Sequence, residues 1–185
     1  MSSKLLINNI VSDNKLIAWF DMSEIKIGDI SLKNKIDNSE LVLKLKSETD
    51  GYLSNSSLTY SKPIDFRTIQ FTFLATSAAD SLLLFKDSSL VRCYLNVQTV
   101  VTSTVAGWIE TPRKSFNIDE KVTVTITYEK DTINIYVNKQ LVLSKSNLNV
   151  DFTKLYIESW KMDISSVVQL FDVKFYNYAL SKNEI

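Results

Sequence analysis

Apolar side chains recur at every second position through much of this chain, and that spacing limits its possible folds more than any single residue does. In Lys121-Val122-Thr123-Val124-Thr125-Ile126-Thr127-Tyr128, the valines, Ile126 and Tyr128 share one side of an extended backbone and the threonines share the other. One face is therefore core, and the other meets water or a second layer. Glu129-Lys130-Asp131 turns the chain into Thr132-Ile133-Asn134-Ile135-Tyr136-Val137, where Ile133, Ile135 and Val137 point inward, so the two runs predict a β-hairpin. Further strand-like runs cover residues 15–20, 41–46, 68–75, 82–86, 90–97, 100–109, 141–144, 155–159 and 167–176. Many short strands separated by turn residues predict an antiparallel sandwich or barrel. A chain of 185 residues is long enough for one sizeable core and short for two. Residues 1–185 are accordingly expected to form a single β-sandwich domain, with residues 1–14 either an N-terminal arm or a first edge strand.

Composition removes several classes of function. Lysine and arginine number 21, as do aspartate and glutamate, so the formal net charge is zero. No general electrostatic pull toward nucleic acid or an anionic membrane results, and neither is expected as a partner. The chain has no histidine, which excludes Ser-His-Asp and Cys-His catalysis and removes a usual zinc ligand. A single cysteine, Cys93, excludes an intrachain disulfide; within Leu90-Val91-Arg92-Cys93-Tyr94-Leu95 it reads as a small buried hydrophobe. The first ten residues lack the pattern of a signal peptide, and no apolar run reaches membrane-spanning length. Synthesis in the cytoplasm is the expectation. The abundance of Lys, Asn, Ile and Ser suggests an AT-rich coding sequence.

The last fifteen residues combine two signals. Phe171, Val173 and Phe175 alternate with Asp172, Lys174 and Tyr176 as a half-buried strand. Ser181 followed by Glu184 is a capping box, and Leu180 can pack on Ile185 as a hydrophobic staple, predicting a short C-terminal helical turn. These features account for the segment as a closing element, with no residue from Phe171 to Ile185 needed to bind or cut a sugar. Asp172-Val173-Lys174-Phe175-Tyr176-Asn177-Tyr178-Ala179-Leu180 with Ser181 to Ile185 resembles the closing motif of the concanavalin A-like lectin/glucanase superfamily. The match is to laminin-G-like and pentraxin-like domains in particular, where "DVRIYNRAL" precedes "S-x-x-E-I". Leu16-Ile17-Ala18-Trp19-Phe20-Asp21 is similar to the family's first strand, and Phe66-Arg67-Thr68-Ile69-Gln70-Phe71-Thr72-Phe73 to its "F-TI-x-F-x-F" strand. The resemblance implies an all-β fold, an antiparallel two-sheet jelly-roll sandwich. One departure stands out: after "IYV" the family has Asn-Gly, and this chain has Asn138-Lys139. A two-residue turn with both positions at positive φ disfavours lysine, so a longer loop is expected there.

Glucanases of this superfamily place closely spaced carboxylates on one strand, in a pattern like E-x-D-x-E, and the chain has no such triplet. Glu158 with Asp163, and the adjacent Asp119 and Glu120, do not supply two facing carboxylates, so no enzyme is expected. Non-catalytic sugar binding asks less: aromatic rings stack on pyranose faces while amides and carboxylates take the hydroxyls. Trp160, at the head of the apparent loop Trp160-Lys161-Met162-Asp163-Ile164-Ser165-Ser166, is the first ligand-binding candidate, either exposed or packed under that loop. Trp108 after Gly107, Tyr52 after Asp50-Gly51, and Tyr94 are the others; Trp19 reads as core. No cofactor is called for. The resemblance makes calcium conceivable, with Asp21, Asp151 and Asp163 as the acidic residues that would have to converge. The expected role is a non-catalytic module binding a glycan or cell-surface polysaccharide. It would work among other subunits of a larger assembly, on a virion such as a phage or on an extracellular surface. The alternative is a purely structural tail, baseplate or head-decoration protein with no glycan ligand.

Overall fold

Alternation in the sequence becomes strand pairing in the computed structural model, which describes residues 16–45, 51–77, 82–83, 92–96, 98–104, 107–152, 156–157 and 159–185. The expected N-terminal arm, residues 1–14, lies outside them. In chain order the strands are β1 (Leu16–Asp21), β2 (Ser31–Lys33), β3 (Glu40–Leu45), β4 (Ser56–Tyr60), β5 (Ile64–Asp65), β6 (Thr68–Ala75), β7 (Leu82–Leu83) and β8 (Arg92–Asn96). They continue as β9 (Thr99–Thr104), β10 (Gly107–Glu110), β11 (Lys121–Glu129), β12 (Thr132–Val137), β13 (Gln140–Lys145), β14 (Tyr156–Ile157), β15 (Trp160–Ile164) and β16 (Val168–Tyr176). A six-stranded sheet runs β1-β16-β6-β11-β12-β13, and an eight-stranded sheet runs β10-β9-β8-β7-β15-β4-β3-β2. β14 and β5 form a separate pair.

The inner faces of the two large sheets share one hydrophobic cluster, which makes the fold an all-β antiparallel sandwich. Phe20, Phe71, Phe73, Val124, Val173 and Phe175 come from the six-stranded sheet; Leu41, Leu58, Tyr60, Trp160 and Met162 come from the eight-stranded one. Rings meet across the gap: Phe20 lies edge-on to Tyr60 at 5.1 Å and to Trp160 at 5.9 Å, and Trp160 lies 5.5 Å from Phe175. Such pairs add to stability beyond the area they bury.

Four expectations change. The segment read as a loop from Trp160 is β15, paired with β4 from Trp160 opposite Tyr60 to Ile164 opposite Ser56. Trp160, Met162 and Ile164 are buried while Lys161 and Asp163 form an ion pair at 3.1 Å on the outer face, so Trp160 is not a surface aromatic. The single run at 100–109 is instead the hairpin β9–β10, in which Trp108 pairs with Ser103; Gly107 opens β10 at φ +117, a conformation that favours glycine. The β12–β13 loop has two residues after all, with Asn138 at φ 46 and Lys139 at φ 69 between the paired Val137 and Gln140. The neighbouring strand holds it: Asn138 N–H donates to the Thr123 carbonyl at 2.8 Å, and Thr123 N–H donates to Asn138 Oδ1 at 2.9 Å.

The C-terminal element is a single hydrogen-bonded turn. The Ser181 carbonyl accepts from Glu184 N–H at 3.0 Å and Ile185 N–H at 3.3 Å. Half of the capping box forms, with the Glu184 carboxylate accepting Ser181 N–H at 2.8 Å. The Ser181 hydroxyl also donates to that carboxylate, at 2.6 Å, instead of accepting from the backbone. The staple is present, since Leu180 and Ile185 are buried in one cluster with Tyr136. No helix among the described residues is long and apolar enough to cross a membrane.

Candidate functional site

Strand register decides what the six-stranded sheet presents on its outer face. Side chains opposite one another across neighbouring strands share a face, so the outward residues fall into rows. One row reads Asp21, Asp172, Thr72, Thr123, and is continued by Asn138 through its bonds to Thr123. The next reads Trp19, Lys174, Gln70, Thr125, Tyr136, and the third reads Tyr176, Thr68, Thr127, Asn134, Ser144. Trp19, read from sequence as core, thus lies half-buried on the outer face between the inward Ala18 and Phe20.

The chain end covers part of this face. After β16 it folds back so that the Thr68 hydroxyl donates to the Tyr178 carbonyl at 2.7 Å and accepts Leu180 N–H at 3.0 Å. Thr68, Thr125 and Thr127 are buried, while Gln70, Thr72 and Thr123 stay half-open. A pocket of about 430 Å³ remains, lined by Gln70, Thr72, Thr123, Asn138, Lys139, Lys174 and Ile185. Its floor is ordered by its own bonds: Gln70 Nε2 donates to Thr125 Oγ1 at 3.0 Å, and the Thr72 and Thr123 hydroxyls meet at 3.1 Å. Gln70 Oε1 and Asn138 Nδ2 keep no partner among the described residues and are available to a ligand. The closing segment therefore does more than close the sandwich, since Lys174 and Ile185 belong to the lining.

Charge is organised around the same face. Lys174 Nζ lies 3.9 Å from Asp172 Oδ1 and 5.0 Å from the Trp19 ring centre, and Lys35 Nζ sits 5.1 Å from that ring. Burial pushes the Asp172 carboxyl up, with Asp21 adding to the effect, against the pull of Lys174, Thr72 and Lys121. Burial also opposes ionisation of Asp21, but bonds from Ser23 and the Lys35 ammonium outweigh it and hold this carboxyl below its ordinary range. A second cavity of about 680 Å³ lies at the β11–β12 turn, lined by Lys130, Asp131, Asn149, Val150 and Asp151.

The sequence candidates fall elsewhere. Trp160 is in the core. Trp108 is 58% exposed on β10, an edge of the eight-stranded sheet. Tyr52 is half-buried beside Phe171, ring centres 6.1 Å apart. Tyr94 is placed by register between Leu83 and Val101, and its side chain lies outside the described part. Trp160, Trp108 and Tyr52 line neither cavity. Asp21, Asp151 and Asp163 do not gather: Asp21 pairs with Lys35 at 3.2 Å, Asp163 pairs with Lys161, and Asp151 lines the second cavity. Among the described residues no three His, Cys, Asp or Glu side chains come together as metal ligands. Residues that do line the outer-face pocket come from four separate segments. Two signals in the sequence pointed toward them: the outward threonines of β11 and the lysine in place of glycine at 139.

No family model and no curated protein matches this chain. Its fold does match solved structures. Domain 4 of AbnA, a GH43 extracellular arabinanase from Geobacillus stearothermophilus in complex with arabinotriose, superposes with a TM-score of 0.66 at 10% identity, over 92% of this chain and 96% of that one. A Trypanosoma rangeli sialidase in complex with sialic acid gives 0.66 at 13% identity, over 91% of this chain. The botulinum neurotoxin serotype D binding domain gives 0.67 at 11% identity, over 93%. The chain spans 32% of that sialidase and 50% of that toxin domain. At these identities the likeness is one of fold.

Proposed function

We propose that this chain is a non-catalytic carbohydrate- or cell-surface-binding module of the concanavalin A-like, laminin-G-like kind, and that the outer-face pocket receives the sugar. The observation that carries this reading is the composition of the pocket. Two hydroxyls and two amides line it, ordered by mutual bonds and by the strand ladder, with Gln70 Oε1 and Asn138 Nδ2 unspent. A few fixed polar groups in a preformed hollow are what orienting a polyhydroxylated ligand requires. The lining holds no carboxylate side chain, so the pair of facing acids used in glycoside hydrolysis has no counterpart in it. Similarity in fold to an arabinanase domain held with arabinotriose supports the reading by analogy. A place on a virion or extracellular surface, among other subunits of a larger assembly such as a phage particle, belongs to the same proposal.

A second reading, a structural module without a glycan ligand, draws on one observation. Ile30 is 79% exposed and Val42 48% exposed next to the edge strand β2, where Val42 pairs with Ser31 and the Ile30 carbonyl accepts Leu43 N–H. An array of bacterial and host glycans separates the two. The wild type should bind at least one oligosaccharide, and Gln70→Ala should weaken that binding about tenfold, the scale of one or two lost hydrogen bonds. No binding by the wild type anywhere on the array would leave the structural reading.

A further inference from the structure

Three threonines on the outer face of the six-stranded sheet are covered as fully as the core: Thr68 is 0% exposed, and Thr125 and Thr127 are 1% exposed. Thr123, the next outward residue along β11, lines the open pocket. Thr123, Thr125 and Thr127 leave the same side of one strand, so pocket floor and covered ground form a single line of hydroxyls about 13 Å long. Gln70 joins the two parts, since it lines the pocket while its amide donates to Thr125 Oγ1 at 3.0 Å. Residues 178–185 reach from the Thr68 hydroxyl on β6 to Tyr136 on β12, which shares a buried cluster with Leu180 and Ile185. β11 runs between those two strands, so the segment crosses it.

Two features set this cover apart from core packing. Among the described residues Thr125 accepts from Gln70, Thr127 accepts from Asn134 Nδ2 at 3.4 Å, and neither hydroxyl donates. Each is a buried donor whose hydrogen is unused, and a ligand oxygen would satisfy it. The second feature is how the segment is fastened. Both of its hydrogen bonds to the sheet among the described residues go to one side chain, Thr68. Its other bonds, from Tyr178 and Ser181 to Glu184 and from Glu184 and Ile185 N–H to the Ser181 carbonyl, lie within it. Moving as a unit, it would keep those internal bonds and give up two to the sheet.

We infer that residues 178–185 are a displaceable strap, and that lifting it joins the covered threonines to the pocket as one groove for an oligosaccharide. The inference rests on the carbohydrate reading above and adds the length of the ligand and a built-in brake on its binding. An oligosaccharide that takes the Thr125 and Thr127 hydroxyls binds only the lifted state, so its apparent affinity is lowered by the fraction of molecules in that state. A single sugar held in the pocket binds with the strap closed and keeps Ile185 as a wall. The strap therefore acts on long ligands and short ones in opposite directions.

The test measures binding of the whole chain to arabinan, dextran and chitin oligosaccharides and to any oligosaccharide found on the glycan array, each as a series from the single sugar upward. Affinity should rise with length. Thr68→Val removes both bonds from strap to sheet and keeps the shape of β6. It should raise affinity for the longer oligomers about fivefold and lower it for the single sugar, which loses its Ile185 wall. Thr127→Val, away from the pocket, should cost the longer oligomers about fivefold and leave the single sugar unchanged. Amide hydrogen exchange reads the lifting directly in the wild type: a bound long oligomer should speed exchange at Leu180 N–H, the donor to Thr68, where binding under a closed strap would not. Affinity independent of length, or a Leu180 amide that exchanges no faster with the longest oligomer bound, would overturn the inference and leave the carbohydrate reading standing. Binding of none of the series, together with an empty glycan array, would overturn both.

Discussion

Two tryptophans show how much turns on single positions. Trp160 is 1% exposed between Phe20, Tyr60 and Phe175, whereas Trp108 is 58% exposed on an edge strand. Trp160→Ala should lower unfolding free energy by about 3–5 kcal/mol, the cost of emptying a buried aromatic site, and Trp108→Ala should change it by less than about 0.5 kcal/mol. Urea unfolding of both variants checks this, and equal losses would contradict the placement. The cue for Trp160 is present in Trp160-Lys161-Met162-Asp163-Ile164, which alternates strictly. Two charged residues and the following serines mask it as a loop. Trp19 misleads for the opposite reason: Leu16 to Phe20 is apolar at every position, so period alone cannot say which side faces the core.

At the scale of the element, the β11–β12 hairpin and the C-terminal turn were both legible, because each is made by residues close together in the chain. The turn's role was not. Ile185 reaches the pocket lining only because β16 ends beside Thr68 and the chain then folds back over β6. Bonds from the Ser181 hydroxyl and N–H, and from the Tyr178 hydroxyl, hold the Glu184 carboxyl below its ordinary 4.5. A carboxyl lowered in the folded state stabilises above its ordinary value, and that contribution is lost as pH falls from about 4.5 through the lowered value. The NMR signals of Tyr178 and Ile185 should therefore shift in that window. Ser181→Ala with Glu184→Ala should abolish the shift, lower the melting temperature slightly and weaken the proposed sugar binding through Ile185. Unchanged binding in the double variant would return the turn to a purely closing role.

For the molecule as a whole, the shared core makes the two sheets interdependent. β16 sits between β1 and β6, so the last strand joins the first to the middle of the sheet. Aromatic rings from both sheets meet at Trp160. Tertiary-structure signals from near-ultraviolet dichroism and strand signals from far-ultraviolet dichroism should lose their native values in one coincident transition. Separate midpoints would mean that one sheet survives without the other.

The sequence by itself determined where strands alternate, which neighbours form hairpins, where the chain end turns, and which chemistries a histidine-free chain cannot perform. These follow from period and from short-range geometry, which the residues carry locally. Tertiary structure alone decided that β15 completes the eight-stranded sheet, that Trp160 is core and Trp19 is not, and that Gln70, Thr123, Asn138 and Lys174 meet around one pocket. Alternation gives the two faces of a strand but leaves open which strands lie side by side. That order is set by the burial of both inner faces at once, and it brings the pocket residues together from distant parts of the chain.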